Sequence, residues 1–142
     1  MKKTVKKIAI AAAYQVLSGV RISKLEPAEQ SLIGKVLLAT RKTAKEYLDH
    51  EAEMRKILQP NNIEELGIIE AKRETATAEE RVKYQIDMGR YNRALSEQLK
   101  GVSDEEVEIE IEPISFDVLS KLAVANDMPL GNIMPVADVF ES

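Results

Sequence analysis

The sequence predicts a mainly α fold, with a long helical hairpin and a small β element near residues 105–112. Three observations lead there. Apolar residues recur at three- and four-residue steps through most of residues 1–100. A stretch opened by Pro27 meets no helix breaker until Pro60. Residues 105–112 then read Glu-Glu-Val-Glu-Ile-Glu-Ile-Glu, an alternation of acid and β-branched residue that only an extended strand sorts onto two faces.

Composition bounds the rest. At 142 residues the chain is read as a single domain, 1–142. Residues 1–100 form its helical part, and residues 101–142 supply the acidic strand, a short helix and a docked apolar tail. With 44% hydrophobic but only 4% aromatic residues, the core is aliphatic. There is no cysteine, which excludes disulfides, thiolate metal ligands and thiol nucleophiles and fits a reducing compartment. The net charge of −4 hides a gradient. Residues 1–50 hold ten Lys/Arg against four Asp/Glu, and residues 101–142 hold one against ten. Such a gradient implies ends that pack together, or copies that assemble head to tail.

The first helix is expected to start at Thr4 as N-cap. Val5, Ile8, Ala9, Ala12, Ala13, Val16, Leu17 and Val20 make its apolar face, and Ser18-Gly19 ends it. Lys2, Lys3, Lys6 and Lys7 before Ile8 imitate the start of a signal peptide. Tyr14 and Gln15 interrupt the apolar run and no cleavage site closes it, so an amphipathic helix is the reading taken. No run approaches the roughly 20 apolar residues of a membrane span.

Pro27 opens the second helix at its first position. Ile33, Leu37, Thr40, Ala44, Tyr47, Glu51, Met54 and Leu58 follow at alternating steps of four and three, a coiled-coil-like seam. At 1.5 Å per residue this rod runs roughly 48 Å, which implies an antiparallel hairpin or a dimer seam. Asn61-Asn62 makes a turn, and a short helix covers about 63–73 with Leu66 and Ile69 inward. Thr77-x-x-Glu80 is a capping box. The helix after it carries Tyr84, Met88, Tyr91, Leu95 and Leu99 on one stripe and stops at Gly101. Residues 81–86 also alternate as a strand would, but the box and the stripe agree on helix.

Beyond the strand, Pro113 blocks further pairing. Ser115 caps a short helix with Phe116, Leu119 and Leu122 inward. Pro129 and Pro135 each mark the start of a short helical turn. Ile133, Val136, Val139 and Phe140 make the tail too apolar to stay in water.

Candidate sites are few. His50 shares a helical face with Glu46 and Glu53, a possible metal triad, but a salt-bridged surface histidine is the simpler reading. The pairs Glu64-Glu65, Glu79-Glu80 and Glu105-Glu106 lack any sign of the burial that acid–base work needs. Gly34-Lys35 is no phosphate loop, since Glu29 stands where a glycine is required. No cofactor or metal is expected and no catalytic residue is assigned. The interaction residues expected are Val107, Ile109 and Ile111 with the acidic face Glu106, Glu108 and Glu110, and the tail residues Ile133, Val136, Val139 and Phe140. The alternative is a nucleic-acid surface on Lys2, Lys3, Lys6 and Lys7, which the acidic balance and the shortage of stacking aromatics disfavour. Same-face glutamates lie about 6.8 Å apart and repel by roughly 0.6 kcal/mol in water. A solvated face tolerates that. A functional face turns it into selection for a basic partner strand, by addition to the sheet or by self-assembly.

The order of these pieces resembles a family. A short helix with Tyr14-x-x-Leu17 leads into Lys24-Leu25 and a long helix. A helix with Tyr91-Asn92 and Leu95 comes next, then Glu106-Val107-Glu108-Ile109, then Ile114-Ser115 and a short helix with Leu119. The chain closes on Asn126-Asp127, Ile133-Met134 and Asp138-Val139. This is similar to small uncharacterised proteins of tailed bacteriophages and prophages, including those of Bacteroidales hosts, and covers most of the chain. The resemblance implies a non-enzymatic protein-interaction protein, in virion assembly or in modulation of a host process such as defence. Its partner would be a further copy or another phage or host protein, and its place the host cytoplasm or the virion.

Overall fold

The computed structural model describes residues 2–141. Six helices and one two-stranded antiparallel sheet occur among them, in the order β1 (Lys2–Lys6), α1 (Lys7–Gly19), α2 (Pro27–Leu58), α3 (Ile63–Ala71), α4 (Ala78–Ser103), β2 (Glu106–Glu110), α5 (Phe116–Ala125) and α6 (Leu130–Phe140). The mainly α class with a minor β element holds. The chain divides into two compact units. One joins residues up to Asp49 with those from Val102 onward, and the other is His50–Gly101. The boundary falls inside α2 and α4.

The first unit has an aliphatic core. Ile10, Ala13 and Leu17 of α1 meet Ile33, Val36 and Ala44 of α2, Ile109 of β2, Leu119 and Leu122 of α5, and Ile133, Val136 and Phe140 of α6. The expected tail residues Ile133, Val136, Val139 and Phe140 are all buried here, so the tail docks within its own unit. The backbone seals the junction, with Ile114 N–H donating to the carbonyl of Phe140 at 2.8 Å. Thr40 is the one buried polar residue among those described. Its hydroxyl donates to the carbonyl of Val36 at 2.9 Å, one turn back along α2.

Local signals place the helix ends. Ser115 Oγ accepts from Val118 N–H at 3.3 Å and starts α5. Glu29 reaches back to Glu26 N–H at 3.0 Å beside Pro27. Its carboxyl is held below the usual range, first by that bond and then by Lys121 of α5, whose ammonium lies 3.0 Å away. At the other end of α5, Met128 N–H bonds the carbonyl of Ala123 and Asp127 N–H that of Val124, with Asp127 at φ 51°. This is a Schellman motif with aspartate in the left-handed position.

The second unit is a helical hairpin. Its contacts converge step by step: Tyr91 OH donates to the carbonyl of Arg55, Asn62 Nδ2 to Asp87, Lys83 Nζ to Glu65, and Lys72 pairs with Glu80 at 2.8 Å. Leu66, Ile69 and Ala76 form its small buried cluster, with Tyr84 and Met88 against it. The capping box is complete in both directions, Thr77 N–H to Glu80 Oε1 and Glu80 N–H to Thr77 Oγ1, each at 3.1 Å. Residues 81–86 are helix.

Five expectations are corrected. The helix α4 does not stop at Gly101 but runs to Ser103, and Ile8 is exposed, because it lies across α1 from the buried Ile10, Ala13 and Leu17. The first helix does not start at Thr4: residues 2–6 are strand, and α1 begins at Lys7. Phe116 is exposed, because the buried stripe of α5 is Val118, Leu119, Leu122 and Ala123, and Phe116 stands at the first helical position off that stripe. Pro135 does not open a new turn but lies inside α6. It gives up one helical bond, and the burial of Ile133, Val136 and Ala137 around it outweighs that loss.

Candidate interaction surface

The acidic strand has its partner in the chain. β1 and β2 pair antiparallel, with Lys2 opposite Glu110, Lys3 opposite Ile109, Thr4 opposite Glu108, Val5 opposite Val107 and Lys6 opposite Glu106. Period two then sorts both strands at once. Lys2, Thr4, Lys6, Glu106, Glu108 and Glu110 are exposed on one face, while Lys3, Val5, Val107 and Ile109 turn toward the core. Ile111, just past β2, is buried with them.

The four N-terminal lysines are all engaged by the same chain. Lys2 lies 3.9 Å from Glu108, Lys6 is 3.6 Å from Asp104, and Lys7 is 3.2 Å from Glu105. Lys3, on the inner face, reaches past the sheet and donates to the carbonyl of Asp138 at 2.8 Å. That carbonyl belongs to the last turn of α6, where carbonyls lack helical partners and the dipole favours a cation. These exposed pairs contribute little stability, about 0–1 kcal/mol each. They fix register and sign instead. Glu106 and Glu110 form no ion pair with a described residue, so the acidic row keeps an excess of negative charge.

The register also says which backbone groups point outward. Lys7 N–H donates to the carbonyl of Glu105 at 2.9 Å, so Val5/Val107 and Lys3/Ile109 are the hydrogen-bonded pairs of the ladder. The intervening residues turn their N–H and C=O groups away from the partner strand. On β2 these are Glu106, Glu108 and Glu110, and none of their outward backbone groups has a partner among the described residues. The same three residues therefore present both the acidic side chains and an open strand edge.

Beside the end of this edge lies a cleft of about 310 Å³, lined by Lys35, Val36 and Ala39 of α2 and by Glu110, Ile111 and Glu112. Its floor is apolar and its rim charged. This is the form of a pocket that receives one side chain of an added strand.

The other sequence candidates do not converge. Among the described residues no three His, Asp or Glu side chains come together as a metal site, so Glu46, His50 and Glu53 stay apart as ligands. The paired carboxylates serve ion pairs and caps: Glu65 with Lys83, Glu80 with Thr77 and Lys72, Glu105 with Lys7. Lys72 and Thr77 hold the Glu80 carboxyl below its usual range. No helix of the described chain is long and apolar enough to cross a membrane. What sequence reasoning missed is β1. Its signal was slight, since Lys2-Lys3-Thr4-Val5-Lys6 offers a single apolar residue to mark an inner face.

Comparison with family models, with curated proteins and with solved structures finds no match to this chain, so the surface is read from its own geometry.

Proposed function

We propose that this chain is a non-enzymatic protein-interaction protein that takes an extended, basic segment of another chain onto the outer edge of β2. The observation that supports this is the coincidence, at Glu106, Glu108 and Glu110, of an open backbone edge with an acidic row of which only Glu108 is paired, by Lys2 at 3.9 Å. β1 already supplies the pattern of a strand that fits: Lys2 and Lys6 face Glu110 and Glu106, with Thr4 opposite Glu108 between them. A partner strand with basic residues at alternate positions would match the other edge in the same way, and one apolar side chain would enter the cleft over Val36, Ala39 and Ile111. The glutamates reject indiscriminate pairing and select for charge. The resemblance to phage and prophage proteins supports virion assembly, or modulation of a host process such as defence, as the setting. It also supports the host cytoplasm or the virion as the place.

Glu108→Pro tests this. Glu108 N–H points away from β1, so proline there removes an edge donor and leaves the internal ladder whole. A peptide with lysines at alternate positions should bind the native chain with an affinity that falls at least tenfold between low and high salt. It should not bind the proline variant, whose circular dichroism stays native. Equal binding to both proteins, or none to the native one, overturns the proposal.

The alternative, a nucleic-acid surface on Lys2, Lys3, Lys6 and Lys7, lacks such support, because acids or a carbonyl of the same chain engage all four.

A further inference from the structure

The outer face of α4 carries a second set of unassigned groups, in the unit that does not hold the sheet. Val82 and Ile86, one turn apart, are 54% and 49% exposed. At 100° per residue they lie opposite the inward stripe of Tyr84, Met88, Leu95 and Leu99. Gly89 follows Ile86 by three residues on the same face. A Cβ there would meet nothing within 4 Å, so no packing inside the chain calls for a glycine at this helix-weakening position. An absent side chain beside two exposed β-branched ones leaves room for another backbone to approach.

The charges on this face are ordered. Glu79 stands before the apolar pair, and Arg90 and Arg93 stand after it. None of the three forms an ion pair with a described residue, whereas neighbouring Lys83 is held by Glu65 at 2.9 Å. A parallel copy would set Glu79 against Glu79 and arginine against arginine. An antiparallel copy sets Glu79 against Arg90 and Arg93 while Val82 and Ile86 meet across the axis.

We infer that the outer face of α4 pairs with the same face of a second copy of this chain, antiparallel, through Val82, Ile86 and Gly89 flanked by Glu79 and the two arginines. The contact is isologous and closes on itself as a dimer.

Sedimentation equilibrium over a range of concentrations tests it. The native chain should show a monomer–dimer equilibrium, and Ile86→Glu should raise the dissociation constant at least tenfold with circular dichroism unchanged. Glu79→Arg should weaken the dimer, and adding Arg90→Glu and Arg93→Glu should restore it. A chain that stays monomeric at every concentration overturns the inference. So does a dimer indifferent to Ile86→Glu, or one that the charge reversals do not restore. A dimer lost on Glu108→Pro but kept with Ile86→Glu places self-association on the sheet edge and also overturns it, while leaving the edge proposal standing.

Discussion

Asn126 holds the backbone of Arg21 from both sides. Its Oδ1 accepts from Arg21 N–H at 2.7 Å, and its Nδ2 donates to the Arg21 carbonyl at 3.0 Å. The same Nδ2 also donates to the carbonyl of Leu122 at 2.9 Å. One amide thus ties the end of α5 to the connection between α1 and α2. Asn126→Ala should lower stability by about 1–3 kcal/mol, because it removes three hydrogen bonds and adds no cavity. Asn126→Asp keeps only the acceptor and should fall between. Urea denaturation of the three proteins measures this, and a native midpoint for the alanine variant would show that water replaces the clamp at no cost.

Asp127, the next residue, predicts the opposite sign. Its φ of 51° lies in the left-handed region, and it follows the C-terminus of α5, where a negative charge meets the negative end of the dipole. Asp127→Gly should stabilise the chain by about 1 kcal/mol, through relief of the backbone and removal of the charge. Thermal unfolding should show a higher midpoint for glycine than for aspartate, and a lower one for Asp127→Val.

The capping box predicts a pH dependence. Lys72 first, and then the Thr77 backbone, hold the Glu80 carboxyl below its usual range. A folded-state value below the unfolded one means that the carboxylate's contribution is complete above the unfolded value, near pH 4. It is lost as pH falls through the folded value. Glu80→Gln should therefore be less stable than the native chain at neutral pH and converge on it in acid. Denaturation curves across that window test the sign, and a constant difference at all pH values would argue against it.

Lys2 and Lys3 are neighbours in sequence with different expected effects. Lys3 caps the last turn of α6 through the carbonyl of Asp138, whereas Lys2 makes only an exposed pair at 3.9 Å. Lys3→Met should cost about 0.5–1.5 kcal/mol, and Lys2→Met less than about 0.5 kcal/mol. Equal effects from the two substitutions would remove the assignment of Lys3 as a cap.

How much of this was legible in the sequence depended on whether a signal was local. Pro27, the Thr77–Glu80 box and Ser115 act within one turn, and each marks a helix start where the structure has one. The seam on α2 was also legible, since Ile33, Thr40, Ala44 and Tyr47 are buried. The acidic strand was legible because seven consecutive residues, 106–112, alternate. β1 was not, because Lys3 occupies an inner position where an apolar residue would have revealed the pattern. Only the carbonyl of Asp138, 135 residues away, explains a lysine there. Pro135 was misread for a related reason. Its local rule says break, and only the apolar contacts on both sides of it say continue. The open edge of β2 could not be foreseen until the register told which carbonyls and N–H groups point outward.

The pairing of β1 with β2 also sets an order in time. Roughly 100 residues separate Lys6 from Glu106, so closing that ladder costs about 2 kcal/mol more in chain entropy than closing a ten-residue hairpin. The hairpin of the second unit needs no such closure, and its formation joins Arg55 to Tyr91, taking a separation of 36 residues out of the longer loop. On a ribosome, the hairpin can assemble while the apolar stripe of α1 is still uncovered. The cover of that stripe is complete only when α6 has been synthesised, so Ile10 and Leu17 wait for Ile133 and Phe140. The helix α1 is therefore among the last of these elements to become native, and during that interval it is the one most exposed to chaperones and proteases.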